Sequence, residues 1–187
     1  TKVTTGRGWA YGGEFLLEKK TGKSTGWIGY TLAKTTRQFD ELNFGNPLPY
    51  TYDRRHDLSV VFNHSFSENL SMGAVFVYGT GRAVTLATRK MFARPEDAFD
   101  GSWLQTVEAI DGRNSFREPA YHRADLSLTW KRPNRWGEAA WQFGVYNVYN
   151  RINIFYMDFG YDDRDNRVLK GYGLFPLIPS ISYSFEF

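Results

Sequence analysis

The 187-residue chain has no cysteine, which excludes a disulfide framework and a cysteine-based metal site. Its three histidines, His56, His64 and His122, are too far apart in sequence to make a local metal motif. No apolar run approaches the roughly 18–20 residues of a membrane-spanning helix. That excludes a spanning helix but not a membrane barrel, whose strands alternate and give a weak hydropathy signal. Charge of one sign is also scarce: 23 Lys and Arg against 20 Asp and Glu leave +3. The basic residues are scattered, so there is no nucleic-acid footprint. The chain opens on Thr1-Lys2, with neither an initiator Met nor a signal peptide, so a mature protein or a fragment is expected.

What is abundant is aromatic and small: 18% Phe, Trp and Tyr, and 18 glycines. Length alone suggests one domain. Seven segments alternate with period two over about nine or more residues, the length that crosses a bilayer when tilted. They lie near 8–20 (Trp9, Tyr11, Gly13, Phe15 and Leu17 against Gly12, Glu14 and Glu18), 24–37 (Ile28, Tyr30, Leu32), 55–66 (Leu58, Val60, Phe62) and 69–86 (Leu70, Met72, Ala74, Phe76, Tyr78). The cleanest follows residue 120: His122, Ala124, Leu126, Leu128 and Trp130 against Tyr121, Arg123, Asp125, Ser127, Thr129 and Lys131. The sixth, near 139–158, sets Trp141, Phe143 and Val145 against Gln142, Gly144 and Tyr146, with parity lost beyond Asn147. The seventh, 177–187, sets Ile181, Tyr183, Phe185 and Phe187 against Ser180, Ser182, Ser184 and Glu186.

Short polar turns (19–24, 67–70, 132–138) alternate with long irregular loops (38–54, 87–119, 159–176), the layout of an outer-membrane barrel with tight periplasmic turns and long extracellular loops. Trp27, Trp130, Trp136, Trp141 and Phe187 fall at the short-turn end and Trp9, Tyr11 and Tyr78 at the other, as two interfacial belts would. If the short turns are periplasmic, the first strand starts outside the cell, whereas bacterial single-chain barrels have even strand numbers. Open edges would also leave backbone groups unpaired in hydrocarbon at several kcal/mol each. The expected fold is therefore all-β: the C-terminal arc, about seven antiparallel strands, of a large transmembrane β-barrel whose earlier strands lie upstream.

The run "GRGWAYGGEFLLEKKTGKSTGWIGYTLAKTTRQFDELNFGNPLPYTYDRRHDLSVVF" (6–62) resembles the late barrel strands of Bacteroidetes TonB-dependent outer-membrane receptors. So do "YGTGRAVTL" (78–86), "PAYHRADLSLTW" (119–130), "FGVYNVYNRINIFYMDF" (143–159) and "LFPLIPSISYSFEF" (174–187), in the family's order and over nearly the whole chain. The resemblance implies a barrel of 22 strands around an N-terminal plug and residues 1–187 as its C-terminal part. It further implies nutrient uptake (a glycan, peptide or metal chelate) energised by the TonB complex, and a possible substrate-binding surface lipoprotein as partner. No cofactor is implied. Tyr183, Phe185 and Phe187 would form the C-terminal signal read by the outer-membrane assembly machinery.

Other motifs carry less. "TGKST" (21–25) lacks a phosphate cradle because Leu17 stands where its first Gly belongs, and "GTGRAV" (79–84) lacks the third Gly of a dinucleotide site. "DDRDN" (162–166) reads as a solvated loop tip, since Arg167 and Val168 stand where a calcium loop needs a ligand and Gly. Arg54 and Arg55 suit lipopolysaccharide phosphates, or brace the rim against Asp53 and Asp57. Candidates for substrate or plug contact are Asp57, Asn63, Arg123, Asp125 and Gln142 in the lumen. In the long loop they are Arg89, Arg94, Trp103, Arg113, Phe116 and Arg117, a mixture that suits sugars, peptides or a lid lipoprotein. Two other classes stay open: a passive porin or structural barrel component, and a barrel hydrolase. For the last, Glu14 and Glu18 are some 13 Å apart along a strand, too far to act as a carboxylate pair.

Overall fold

The computed structural model describes residues 4–87, 89–93, 105–110 and 112–187, with the backbone alone at 90–93 and 105–108. Its strands are β1 (Arg7–Lys19), β2 (Ser24–Gln38), β3 (Leu48–Pro49), β4 (His56–Ser65), β5 (Leu70–Gly79), β6 (Ala83–Val84) and β7 (Arg89–Ala93). They continue as β8 (Gln105–Ala109), β9 (Phe116–Arg117), β10 (Tyr121–Asn134), β11 (Gly137–Tyr146), β12 (Asn153–Tyr161), β13 (Arg167–Leu174) and β14 (Ile178–Glu186). The chain is all-β and its sheets are antiparallel. The main sheet runs β1-β2-β4-β5-β10-β11-β14, with β3 on β2. Three two-stranded sheets, β6-β9, β7-β8 and β12-β13, complete the fold of the described residues.

Two compact units divide the described residues: Thr1–Tyr11, Ala33–Arg54 and Gly81–Glu118 in one, and Gly12–Leu32, Arg55–Thr80 and Pro119–Phe187 in the other. In the second unit the ladder runs from β2 to β14 without a bulge, so residues directly opposite share a face in every strand. One face carries the rows Tyr30–Leu58–Tyr78–His122, Gly26–Phe62–Ala74–Leu126–Val145–Pro179 and Ser24–His64–Met72–Leu128–Phe143–Ile181. Its last rows are Leu70–Trp130–Trp141–Tyr183 and Arg132–Ala139–Phe185. The other face carries Thr31–Asp57–Gly79–Tyr121, Gly29–Ser59–Val77–Arg123 and Thr25–Asn63–Gly73–Ser127–Gly144–Ser180. Phe15 of β1 stacks on Tyr30 at 6.4 Å, which aligns the odd residues of β1 with the apolar face. The alternation read from sequence is thus the alternation of the sheet. Trp27 departs from it: it lies opposite Val61 on the polar face, outside any belt on the apolar one.

The apolar face is not covered. Among the described residues only Leu48, Ala83 and Ala139 are buried apolar side chains, while Leu126, Leu128, Phe143 and Ile181 are exposed. A sheet that folded by burying one face would show the reverse.

The turns follow from their residues. Gly22 takes φ 95° between β1 and β2. Ser67 Oγ accepts from the N–H groups of Asn69 and Leu70 between β4 and β5. Asn134 Oδ1 accepts from Trp136 N at 2.6 Å in the two-residue turn between β10 and β11.

Three expectations need correction. The sixth segment does not run from 139 to 158: β11 ends at Tyr146, Asn147 and Asn150 turn the chain at φ 55° and 52°, and β12 pairs with β13 instead. The stretch 159–176 is therefore a hairpin arm and not an irregular loop. The loops 38–54 and 87–119 likewise contain β3, β7 to β9 and a 3₁₀ turn at Asn43–Gly45, and the segment expected over 69–86 ends as β5 at Gly79, with β6 pairing with β9.

Gly26 (φ 153°) and Gly137 (φ 156°) sit where a Cβ would run into the carbonyl oxygens of Val61 and Glu186 on the neighbouring strands. Gly13, by contrast, has only the Phe15 ring at 3.8 Å. Gly26→Ala should therefore lower stability by more than about 1 kcal/mol, whereas Gly13→Ala should be close to neutral. Thermal unfolding followed by circular dichroism separates the two, and equal midpoints would contradict this packing.

Candidate functional site

The polar face of the second unit holds all five residues expected in the lumen. Asp57 lies opposite Thr31 and Gly79, Asn63 opposite Thr25 and Gly73, and Gln142 opposite Thr129 and Ser182. Arg123 and Asp125 are two residues apart on β10 and meet directly. Arg123 Nε lies 2.9 Å from the Asp125 carboxylate. Its Nη1 donates to the Tyr121 and Tyr146 hydroxyls at 2.9 and 2.6 Å, and the guanidinium lies 4.1 Å from the centre of the Tyr146 ring. The pair is thus neutralised and oriented by the protein itself. Asn63 and Gln142 are three strand spacings apart across the sheet, about 14 Å, and do not form one pocket.

Asp125 also accepts from the N–H of Asn147 at 2.9 Å. Asn147 is fully buried: its Nδ2 donates to the carbonyls of Arg151 and Phe175, and its Oδ1 accepts from Arg151 N at 3.0 Å. Asn153 completes the arrangement by accepting from His122 N and donating to His122 O, so its amide imitates a strand neighbour. The left-handed turn that ends β11 is held by amides that satisfy backbone groups no ladder reaches.

The first unit contains a second polar cluster. Asp53, 3% exposed, accepts from Thr35 N and from Arg117 Nη2, both at 2.6 Å. Arg117 Nη1 donates to the carbonyls of Asp53 and Gly81 at 2.7 and 2.9 Å. Beside it, Arg82 makes two parallel bonds, 2.9 and 3.1 Å, to the buried carboxylate of Glu118, and this pairing raises the guanidinium's pKa above its ordinary value. Asn114 (φ 55°) accepts from Thr85 and donates to the Pro49 carbonyl. Three loop segments, 35–53, 81–85 and 114–118, are held together by these contacts.

Arg117, expected to face substrate, is thus engaged inside the protein, and Phe116 is half-buried beside it, while Arg113 and Arg89 are exposed. Arg94 and Trp103 lie outside the described residues. Arg54 is exposed and Arg55 half-buried; of the two carboxylates considered as their brace, Asp53 and Asp57, the first pairs with Arg117. Tyr183, Phe185 and Phe187 are exposed on the apolar face. Sequence reasoning missed Glu118, Asn147, Asn153 and Arg151 as organising residues. The only signal was polar residues interrupting an apolar alternation, as in "YNVYNRIN" (146–153). Among the described residues no three His, Asp or Glu side chains converge as metal ligands.

At the tip between β12 and β13, Asp162 Oδ1 accepts from the N–H groups of Arg164 and Asn166, and Oδ2 from the Asn166 side chain. The carboxylates of "DDRDN" therefore begin with one that folds the turn. These bonds, those of Asn166 foremost, hold the Asp162 pKa below the ordinary carboxylate value. A depressed folded pKa stabilises the turn above the unfolded value and loses that contribution as pH falls through the folded one. Carbon-13 NMR of labelled aspartates should thus show Asp162 titrating below the ordinary carboxylate value, and Asn166→Ala, which removes the side-chain bond, should raise it. Separately, Asp53→Asn and Arg117→Gln should each lower the local stability of residues 112–118 by about 1–3 kcal/mol, below the fully buried case because Arg117 is one-third exposed. The double variant should cost clearly less than the sum in hydrogen exchange, and additivity would exclude the coupling. In comparisons with known proteins, no family, no curated protein and no solved structure matches the chain.

Proposed function

We propose that this chain is part of the wall of an outer-membrane transport barrel, of the TonB-dependent uptake type that its sequence blocks resemble. The observation that carries the reading is the uncovered apolar face running in register from β2 to β14. In water such a face would demand a partner layer; in hydrocarbon it is already solvated, and the ladder satisfies the backbone. Its height fits. From the Tyr78–His122 row to the Trp130–Trp141–Tyr183 row β10 advances eight residues, about 26 Å of strand, or about 20 Å when tilted, close to the apolar band of such barrels. Aromatic and amphipathic rings occupy both rims: Tyr30, His56, Tyr78 and His122 at one, Trp130, Trp141 and Tyr183 at the other.

The polar face then lines an aqueous interior with small residues and with Asp57, Asn63 and Gln142, groups suited to hydrogen-bonding a polar solute or a plug. Energised uptake, the TonB partner and a surface lipoprotein rest on the resemblance. β1 and β14 stand at the two ends of the strand order and do not pair with each other, which supports an arc completed by further strands.

The test uses the full-length protein. It should fractionate with the outer membrane, and a deletion strain should lose growth on a nutrient whose uptake also requires TonB. Growth loss independent of TonB would favour a passive pore. Within the wall, Leu128→Arg on the apolar face should cost about 2–4 kcal/mol of folding in bilayers, and Thr129→Arg on the opposite face much less. Equal costs would remove the membrane reading.

A further inference from the structure

At the short-turn end of the sheet Lys19, Lys20, Lys131 and Arg132 divide by face. On the polar face Lys131 pairs with Glu138 at 2.7 Å, and Lys20 pairs with Glu18 at 3.1 Å. On the apolar face stand Lys19, two residues beyond Leu17 in β1, and Arg132, two residues beyond Trp130 in β10. Both are exposed, and among the described residues no hydrogen bond or ion pair engages either side chain. The same order recurs in the two strands: apolar, then the last apolar or aromatic residue, then a cation. In β10 it reads Leu128, Trp130, Arg132, opposite Phe143, Trp141 and Ala139.

That order is the order of phases met on leaving a bilayer: hydrocarbon, the interface that favours indole rings, and the phosphate layer. A long cationic side chain at the last step reaches the phosphate plane while its stem stays on apolar surface. The adjacent turn adds Trp136, 77% exposed and oriented by the Asn134 bond to its backbone, with the Arg135 guanidinium 5.8 Å from its ring. The polar-face cations find their counter-charge in the protein. The apolar-face cations have only what wets that face.

We infer that Arg132 forms a headgroup site for anionic phospholipid, flanked by Trp130 and Trp136, and that Lys19, four strand spacings away and about 19 Å across the sheet, forms a second site of the same kind. Both sites rest on the membrane reading proposed above, and the occupant of each is a phospholipid phosphate of the leaflet at the short-turn end. Guanidinium and ammonium donors meet the phosphate oxygens, and each cation adds attraction to an anionic headgroup.

The full-length protein in nanodiscs of phosphatidylcholine with a minority of phosphatidylglycerol provides the test, with retained lipid counted by native mass spectrometry. Wild-type protein should retain phosphatidylglycerol selectively, and Arg132→Gln and Lys19→Gln should each reduce that selectivity about fivefold. Lys131→Gln and Lys20→Gln, which remove the ion-paired cations, should leave it unchanged. Equal selectivity in wild type and Arg132→Gln, or loss in all four variants alike, would overturn the inference. A protein that inserts without headgroup preference overturns this inference alone, whereas one that fails to enter bilayers overturns the proposed function with it.

Discussion

The structure depends on one constraint: an antiparallel ladder that keeps its register from β2 to β14. Because side chains alternate strictly, a slip of one residue in any strand would turn its apolar set to the opposite face. Six strands agree on parity, so Ile28, Val60, Phe76 and Ala124 share one row although almost a hundred residues of chain separate the first from the last. Gly26 and Gly137 lie where neighbouring backbone approaches too closely for any Cβ. They make the register possible at the two positions where a side chain would push strands apart.

A register of this kind creates a sheet with two unlike faces and no core between layers. The usual source of stability, apolar area withdrawn from water into a protein interior, is nearly missing here. The polar face compensates partly by internal pairing, as with Arg123 against Asp125, Tyr121 and Tyr146. The apolar face has no such device. Whatever stabilises it must be an apolar phase or another apolar surface; the proposed reading takes the phase, on the rings at both rims and the cations beyond one of them.

The alternation of β10 was fully legible in sequence, because each of its even residues from His122 to Trp130 is apolar or aromatic and nearly every odd one polar. The limits of β11 were not. "FGVYNVYNRINIF" (143–155) stays rich in aromatic and β-branched residues across the turn, so periodicity continues while the backbone reverses. What ends the strand is Asn147 in a left-handed conformation, and Asn tolerates that conformation too generally to mark a boundary by itself. Partnership between distant charges was equally hidden. Asp53 had two arginines, Arg54 and Arg55, beside it in sequence, yet its partner is Arg117, brought there by the pairing of β6 with β9. Neighbours in an extended chain point apart, so adjacency was poor evidence for pairing.

The same physics accounts for how the chain sustains long connections without a core beneath them. A loop that leaves a ladder exposes backbone donors and acceptors, and without a packed layer beneath it few partners are near. Here side-chain amides and ion pairs replace the ladder one group at a time: Asn147 and Asn153 beyond β11, Asn114 and Arg117 at the return of the loop from β6 to β9, Asp162 at the tip of the β12–β13 hairpin. Each contact is local, and each joins backbone carbonyls or N–H groups that would otherwise need water. Residues committed in this way are poor candidates for binding solute, since releasing them would unfold the segment they hold. Under the proposed reading, solute contact falls to polar residues whose backbone is already secured by the sheet, such as Asn63 and Gln142, sooner than to Arg117, which holds a loop.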